Sequence, residues 1–99
     1  MLNIQTTKED GTLVMTLEGR IDTNTASELD AAIKMKTADA EKLVLDFEKV
    51  DYVSSAGLRV LLSADKIMRR AGGMKILNAN EIVREVFEVT GFANVLTIE

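Results

Sequence analysis

Short β-rich runs alternate with amphipathic helical stretches along this chain, and that alternation admits few folds. Leu2 and Ile4 alternate with Asn3 and Gln5, the two-residue period of a strand with one wet face. A second apolar run, Leu13 to Leu17, follows Glu9-Asp10-Gly11. Asp-Gly between two such runs signals a hairpin, because Gly accepts a positive φ. Residues 2–7 and 12–18 are therefore expected to pair antiparallel. Leu43-Val44-Leu45 reads as a short strand covered on both faces. Met74 to Leu77 and Val95 to Ile98 read as two more.

Three helical patterns separate these runs. Thr25 and Glu28 have capping-box spacing. At about 100° per residue, Ala26, Leu29, Ala32 and Ile33 share one face, with Ser27, Asp30 and Lys34 opposite. The second pattern covers about 56–71 and stops at Gly72-Gly73. Val60, Leu61, Ala64, Ile67, Met68 and Ala71 share its expected core face, and Arg59, Ser63, Lys66 and Arg70 the wet one. Leu58 and Leu62 fall between, in line with Asp65 and Arg69, as a half-exposed stripe beside a serine loop. Asn80 caps the third helix, which buries Ile82, Val83, Val86 and Phe87, turns Glu81, Glu85 and Glu88 to water and ends before Gly91. The order β-β-α-β-α-β-α-β implies an α/β fold of one domain, 1–99. Its small mixed sheet joins an antiparallel hairpin edge to parallel strands and packs with about three to four helices.

What the chain lacks narrows its chemistry. It has no histidine and no cysteine, so the usual zinc sites, Cys–His nucleophiles and Ser–His–Asp relays cannot be built from it alone. General acid–base work would fall to Asp, Glu, Lys or Tyr52, whose ordinary pKa values lie far from 7. A non-catalytic protein without cofactor or metal is the expectation. The net charge of −4 argues against nucleic acid or an anionic membrane as partner. No run approaches the roughly 20 apolar residues of a membrane span, and Met1 to Gln5 lacks the features of a signal peptide. A cytoplasmic location is expected.

In an open α/β sheet, function gathers where loops leave the carboxyl ends of strands. One such loop reads Asp51-Tyr52-Val53-Ser54-Ser55-Ala56-Gly57-Leu58. Two serines at a helix start meet free amides and the positive end of the helix dipole. Either serine can simply cap the helix, a role worth about 1 kcal/mol. Alternatively, one is phosphorylated, which brings a charge of about −1.5 to −2 to amides able to receive it. Asp22 or Asp51, if near, would repel that charge.

The run from Val53 to Leu62, Val53-Ser54-Ser55-Ala56-Gly57-Leu58-Arg59-Val60-Leu61-Leu62, resembles the sulphate-transporter and anti-sigma-antagonist (STAS) domain family. Leu17-Glu18-Gly19-Arg20-Ile21-Asp22 and the order of elements match as well, and the resemblance spans nearly the full length. Within the family it points to the short bacterial anti-sigma factor antagonists, which implies partner switching. The unmodified antagonist binds an anti-sigma factor that is also a serine kinase and so frees the sigma factor. Phosphorylation by that kinase releases the antagonist, and a metal-dependent serine phosphatase restores it. Counting back from Gly57, the phosphoacceptor falls on Ser55, with Ser54 a second candidate. The family often has Asp before this serine and Ser or Thr after it, places held here by Ser54 and Ala56. Asp22 matches the aspartate beside the phosphosite loop in relatives; capping the first helix is its alternative role. The implied partner-binding surface comprises Asp22, Thr23, Asn24, Ser54, Ala56, Gly57, Leu58, Arg59 and Leu62, on a monomer or weak dimer.

Other readings are a constitutive structural STAS subunit of a membrane transport or signalling complex, without phospho-switching, and an enzyme. A hydrolase using Ser55 lacks an obvious base. An aspartate-phosphorylated receiver lacks the acidic pair after its first strand, which ends Gln5-Thr6-Thr7-Lys8.

Overall fold

Asp10 and Gly11 both adopt positive φ, 51° and 83°, the geometry that a two-residue hairpin turn requires. On either side of them, β1 (Leu2–Glu9) and β2 (Thr12–Ile21) pair antiparallel from Leu2↔Gly19 to Glu9↔Thr12. The computed structural model describes residues 2–99. After β2 come α1 (Thr23–Lys36), β3 (Lys42–Val53), α2 (Ser55–Met68), β4 (Met74–Leu77) and α3 (Glu81–Val89). A 3-10 turn, Phe92–Asn94, follows. The sheet runs β1-β2-β3-β4, with β2, β3 and β4 parallel. This is the mixed α/β sheet with an antiparallel edge that the alternation implies.

Residues 95–98 do not form the expected strand. Only Ile98 reaches the sheet, as an isolated bridge to Ile76 made by the Ile76 amide on Thr97 O and the Glu99 amide on Ile76 O, both 2.9 Å. The amides of Val95 and Leu96 close the preceding 3-10 turn by donating to Phe92 O, at 3.0 and 2.8 Å, and are not available to a strand ladder.

The central strand corrects the sequence reading most. β3 is 12 residues long rather than three. It carries two more residues than β2, inserted where the register shifts between Thr16 and Glu18 and between Gly19 and Arg20. Each insertion is a bulge, which keeps Phe47, Val50 and Val53 on the core side although they recur every three residues. Leu43, Val44 and Leu45 are buried on both faces, as expected, but beyond them only the core side of β3 stays buried. Leu43, Leu45 and Phe47 join the main core, whereas Val44, although buried, points to the other face and lies outside that cluster.

Leu13, Met15, Leu17 and Ile21 of β2 line the same core face, under Leu29 and Ile33 of α1, Leu61 and Met68 of α2, and Val83 and Phe87 of α3. Two helical faces are rotated from expectation. In α2 the buried residues are Gly57, Leu58, Leu61, Ala64, Asp65 and Met68; Ile67 and Ala71 are exposed. In α3, Val83 and Phe87 are buried and Val86 partly so, but Ile82 is exposed. A seam of i, i+3 and i+4 positions is narrower than the apolar set available to fill it, so tertiary packing selects which apolar residues go inside. Asp65 fits there because Arg69 reaches back to it with Nε and Nη2, both at 2.9 Å. Among the described residues, no helix is long and apolar enough to cross a membrane.

Candidate functional site

Parallel pairing brings the carboxyl ends of β2 and β3 together, with Ile21 opposite Val53. The Ser54 amide donates to Ile21 O at 2.7 Å, which ties the second connection to the first. The starts of α1 and α2 therefore lie beside one another, and both direct free amides and a positive dipole end toward this rim.

Asp22, not Thr25, caps α1. Its Oδ1 accepts from the amides of Asn24 and Thr25, each at 3.0 Å. Thr25 Oγ1 accepts from the Asp22 amide at 2.8 Å and lies 2.7 Å from Arg20 O, to which it donates. The capping box is thus Asp22 with Thr25, and the expected Thr25–Glu28 box does not form. A threonine hydroxyl at the third position is short enough to be buried as it reaches back. The Thr25 amide does most to hold the Asp22 carboxyl below the ordinary carboxylate range. Partial desolvation opposes it, while the Asn24 amide, the Thr25 hydroxyl and Arg20 add to the lowering. Asp22 is therefore a fixed anion at neutral pH.

At α2 the two serines divide the work. Ser54 adopts extended backbone geometry (φ −85°, ψ 173°), and its Oγ accepts from the Gly57 amide at 3.2 Å. Ser55, the first helical residue, is exposed and takes no part in that cap. The first turn of α2 contains no acidic side chain. Ser54, where the family often has Asp, caps without charge and leaves the dipole end uncompensated.

Packing from below fixes this turn. A Cβ added at Gly57 would stand 2.6 Å from Ile21 Cγ2 and 3.0 Å from Val53 Cγ1, so glycine is what allows α2 to approach the strand ends. Leu58 follows it into the core at 5% exposure. The expected half-exposed stripe of Leu58 and Leu62 is therefore not a stripe: Leu58 is a core residue and Leu62 is only partly accessible. Thr23, Asn24 and Arg59 are exposed, and Ala56 is partly buried. Asp22, Thr23 and Asn24 thus share one rim with Ser54, Ser55, Ala56 and Arg59, whereas Gly57 and Leu58 lie beneath it.

Two residues of this rim escaped the sequence reading. The Arg20 guanidinium lies over the Tyr52 ring, 4.4 Å from its centroid, and its Nε is 4.0 Å from Asp22 Oδ2. The two residues face each other only because the second β3 bulge sets Arg20 opposite Tyr52. No local pattern signals that register. The described residues contain no group of three or more Asp or Glu placed to hold a metal ion. The rim offers an exposed hydroxyl, a fixed carboxylate, a stacked guanidinium and uncompensated amides, a set suited to recognition and to receiving an anionic group.

A family model described as the STAS domain matches residues 3–99. A protein of Bordetella bronchiseptica named "Putative anti-sigma factor antagonist BtrV" is 38% identical over 93 residues, covering 92% of this chain and 80% of that protein. The crystal structure of an anti-sigma factor antagonist from Mycobacterium paratuberculosis superposes with a TM-score of 0.90 at 25% identity, covering 99% of this chain and 85% of that one. The phosphorylated form of the Bacillus cell fate determinant SpoIIAA shares the fold, with a TM-score of 0.74 at 20% identity over 98% of this chain and 91% of that one.

Proposed function

The chain belongs to the STAS domain family, and from that premise we propose that it is an anti-sigma factor antagonist working by partner switching, with Ser55 as the phosphorylated residue. Its unmodified form binds an anti-sigma factor that is also a serine kinase, and the sigma factor is freed. Phosphorylation ends the binding, and a serine phosphatase restores it. The cycle runs in the cytoplasm, and the chain supplies the substrate serine while its partners supply the catalysis.

The observation that carries this reading is the division of labour between the serines. Ser54 holds the helix cap, so Ser55 is free to change charge without the helix losing its first hydrogen bond. A phosphate on Ser55 would add about −1.5 to −2 charge next to amides that tolerate it. The fold would survive, but the rim would change. Asp22 is already anionic there, and a partner that accepts one negative charge would meet a second. Asp22, Thr23, Asn24, Ser54, Ala56 and Arg59, with the accessible part of Leu62, form the surface that this partner contacts. Arg20 and Tyr52 extend it, since stacked arginine and tyrosine are common anchors of interfaces.

Incubation with the kinase-type anti-sigma factor and ATP, followed by mass spectrometry, tests the proposal. Phosphate is expected on the 51–62 segment, retained in Ser54→Ala and lost in Ser55→Ala. Binding to the anti-sigma factor should survive Ser55→Ala and weaken with Ser55→Asp. Absence of phosphate from that segment with an active kinase refutes the switch. Binding that persists under those conditions would instead favour a constitutive subunit.

A further inference from the structure

The outer side of α3 carries an apolar stripe that the core does not use. Val83 and Phe87 are buried beneath the helix, whereas Ile82 is 66% and Val89 79% exposed, with Val86 half-buried between them. Positions 82, 86 and 89 lie on one helical face, and together with Glu85 and Thr90 they line a shallow groove. Glu85 lines it, Glu81 and Glu88 lie further round the same side of the helix, and none of the three makes an ion pair among the described residues. Arg84, the only cation of α3, turns back to donate from Nε to Ala79 O at 3.0 Å. This face is apolar and acidic.

The far end of α2 is its counterpart. Ile67, 39% exposed, stands between Lys66 and Arg70, and the three line a second hollow. Arg69 is occupied by Asp65, but Lys66 and Arg70 make no ion pair among the described residues. One molecule thus presents an acidic apolar face and a basic apolar face on different helices.

We propose that these two faces bind each other between copies of this chain, the α3 groove of one molecule receiving Ile67, Lys66 and Arg70 of the next. The contact is head-to-tail. Pairing α3 with α3 would set glutamates against glutamates, and pairing the α2 ends would oppose cations; like charges in register disfavour both. Few apolar groups are involved, so the association is weak and depends on charge. Ile67 lies about 18 Å along α2 from Ser55, at about 1.5 Å per residue, so the contact leaves the serine rim open. It stands independently of phosphorylation.

Sedimentation of the full chain over a concentration series tests this. In about 0.1 M salt the average mass should climb above the 10.9 kDa of one chain. It should climb less in about 1 M salt, where the screening length falls from about 10 to about 3 Å. Reversing α3 (Glu85→Lys with Glu88→Lys) should weaken association at least about tenfold, and reversing α2 (Lys66→Glu with Arg70→Glu) should do the same. Circular dichroism checks that both variants fold. Mixing the two variants should restore association, because every reversed face then meets an opposite one. A mass of 10.9 kDa at every concentration overturns the proposal. So does association that survives the α2 reversal, which would assign the contact to α3 against α3, and so does a mixture that fails to associate.

Discussion

The two helix starts at the carboxyl ends of β2 and β3 are held in opposite ways. Polar bonds anchor α1: Asp22 accepts from two amides, and Thr25 closes the box from a buried position. Packing anchors α2: Gly57 lies against Ile21 and Val53, and Leu58 enters the core, with a single cap bond from Gly57 to Ser54 above them. At α1 the charge is part of the fold. At α2 the anchor lies beneath and the solvent side is free, so a serine there can gain charge without loosening the helix. Neighbouring loops with the same topology thereby present a fixed anion and an exposed hydroxyl.

Substitutions test this contrast directly. The largest effect is expected from Leu58→Ala, which removes the anchor under α2 and should cost about 2–5 kcal/mol in urea unfolding. A loss below about 1 kcal/mol would mean that packing does not hold this turn. Thr25→Val keeps the shape but strips the hydroxyl from Arg20 O and from the Asp22 amide, at a cost of about 1–3 kcal/mol. If it proves neutral, α1 is not held by its box.

Next comes a change visible only in pH dependence. The folded pKa of Asp22 lies below the ordinary 3.8, so its contribution is complete above that value and is lost as pH falls through the folded one. Asn caps about as well as Asp but does not titrate. Asp22→Asn should therefore flatten the decline in stability below pH 4 without abolishing it, since Asp39, paired with Lys8, is lowered too and remains. An unchanged acid limb would remove Asp22 from the account. The smallest effect belongs to Ser55→Ala, within about 0.5 kcal/mol in thermal unfolding. Ser54→Ala, which loses a cap, should cost about 1 kcal/mol. If the two values were reversed, the roles of the serines would be exchanged.

Much of this was legible along the chain because it depends on near neighbours. The Asp10-Gly11 turn, the Asn80 cap on the Val83 amide and the stop at Gly91 need only local geometry, and each forms. The serine loop at a strand-to-helix junction was legible for the same reason. The apolar face of α2 was not. Counting angles ranks Ile67 with Leu61, but only the position of the sheet puts Leu58 and Asp65 inside and leaves Ile67 out. The length of β3 was hidden because two bulges turn its apolar period from two residues into three.

Local residue chemistry was enough for the alternation of elements as far as α3, for the Asp10-Gly11 turn and the Asn80 cap, and for a composition without histidine or cysteine that makes the chain a substrate rather than a catalyst in the proposed switch. Those features depend on residue type and on contacts within about four positions, where backbone geometry leaves little choice. Tertiary structure alone decided which residues meet across elements. It stacked Arg20 on Tyr52, left Ile82 and Val89 in water, and put Leu58 in the core while Ile67 stayed exposed. Register is the cause. Side-chain direction alternates along a strand and rotates by about 100° along a helix, so a bulge or a one-residue shift in a helix start sends the same side chain to a different environment.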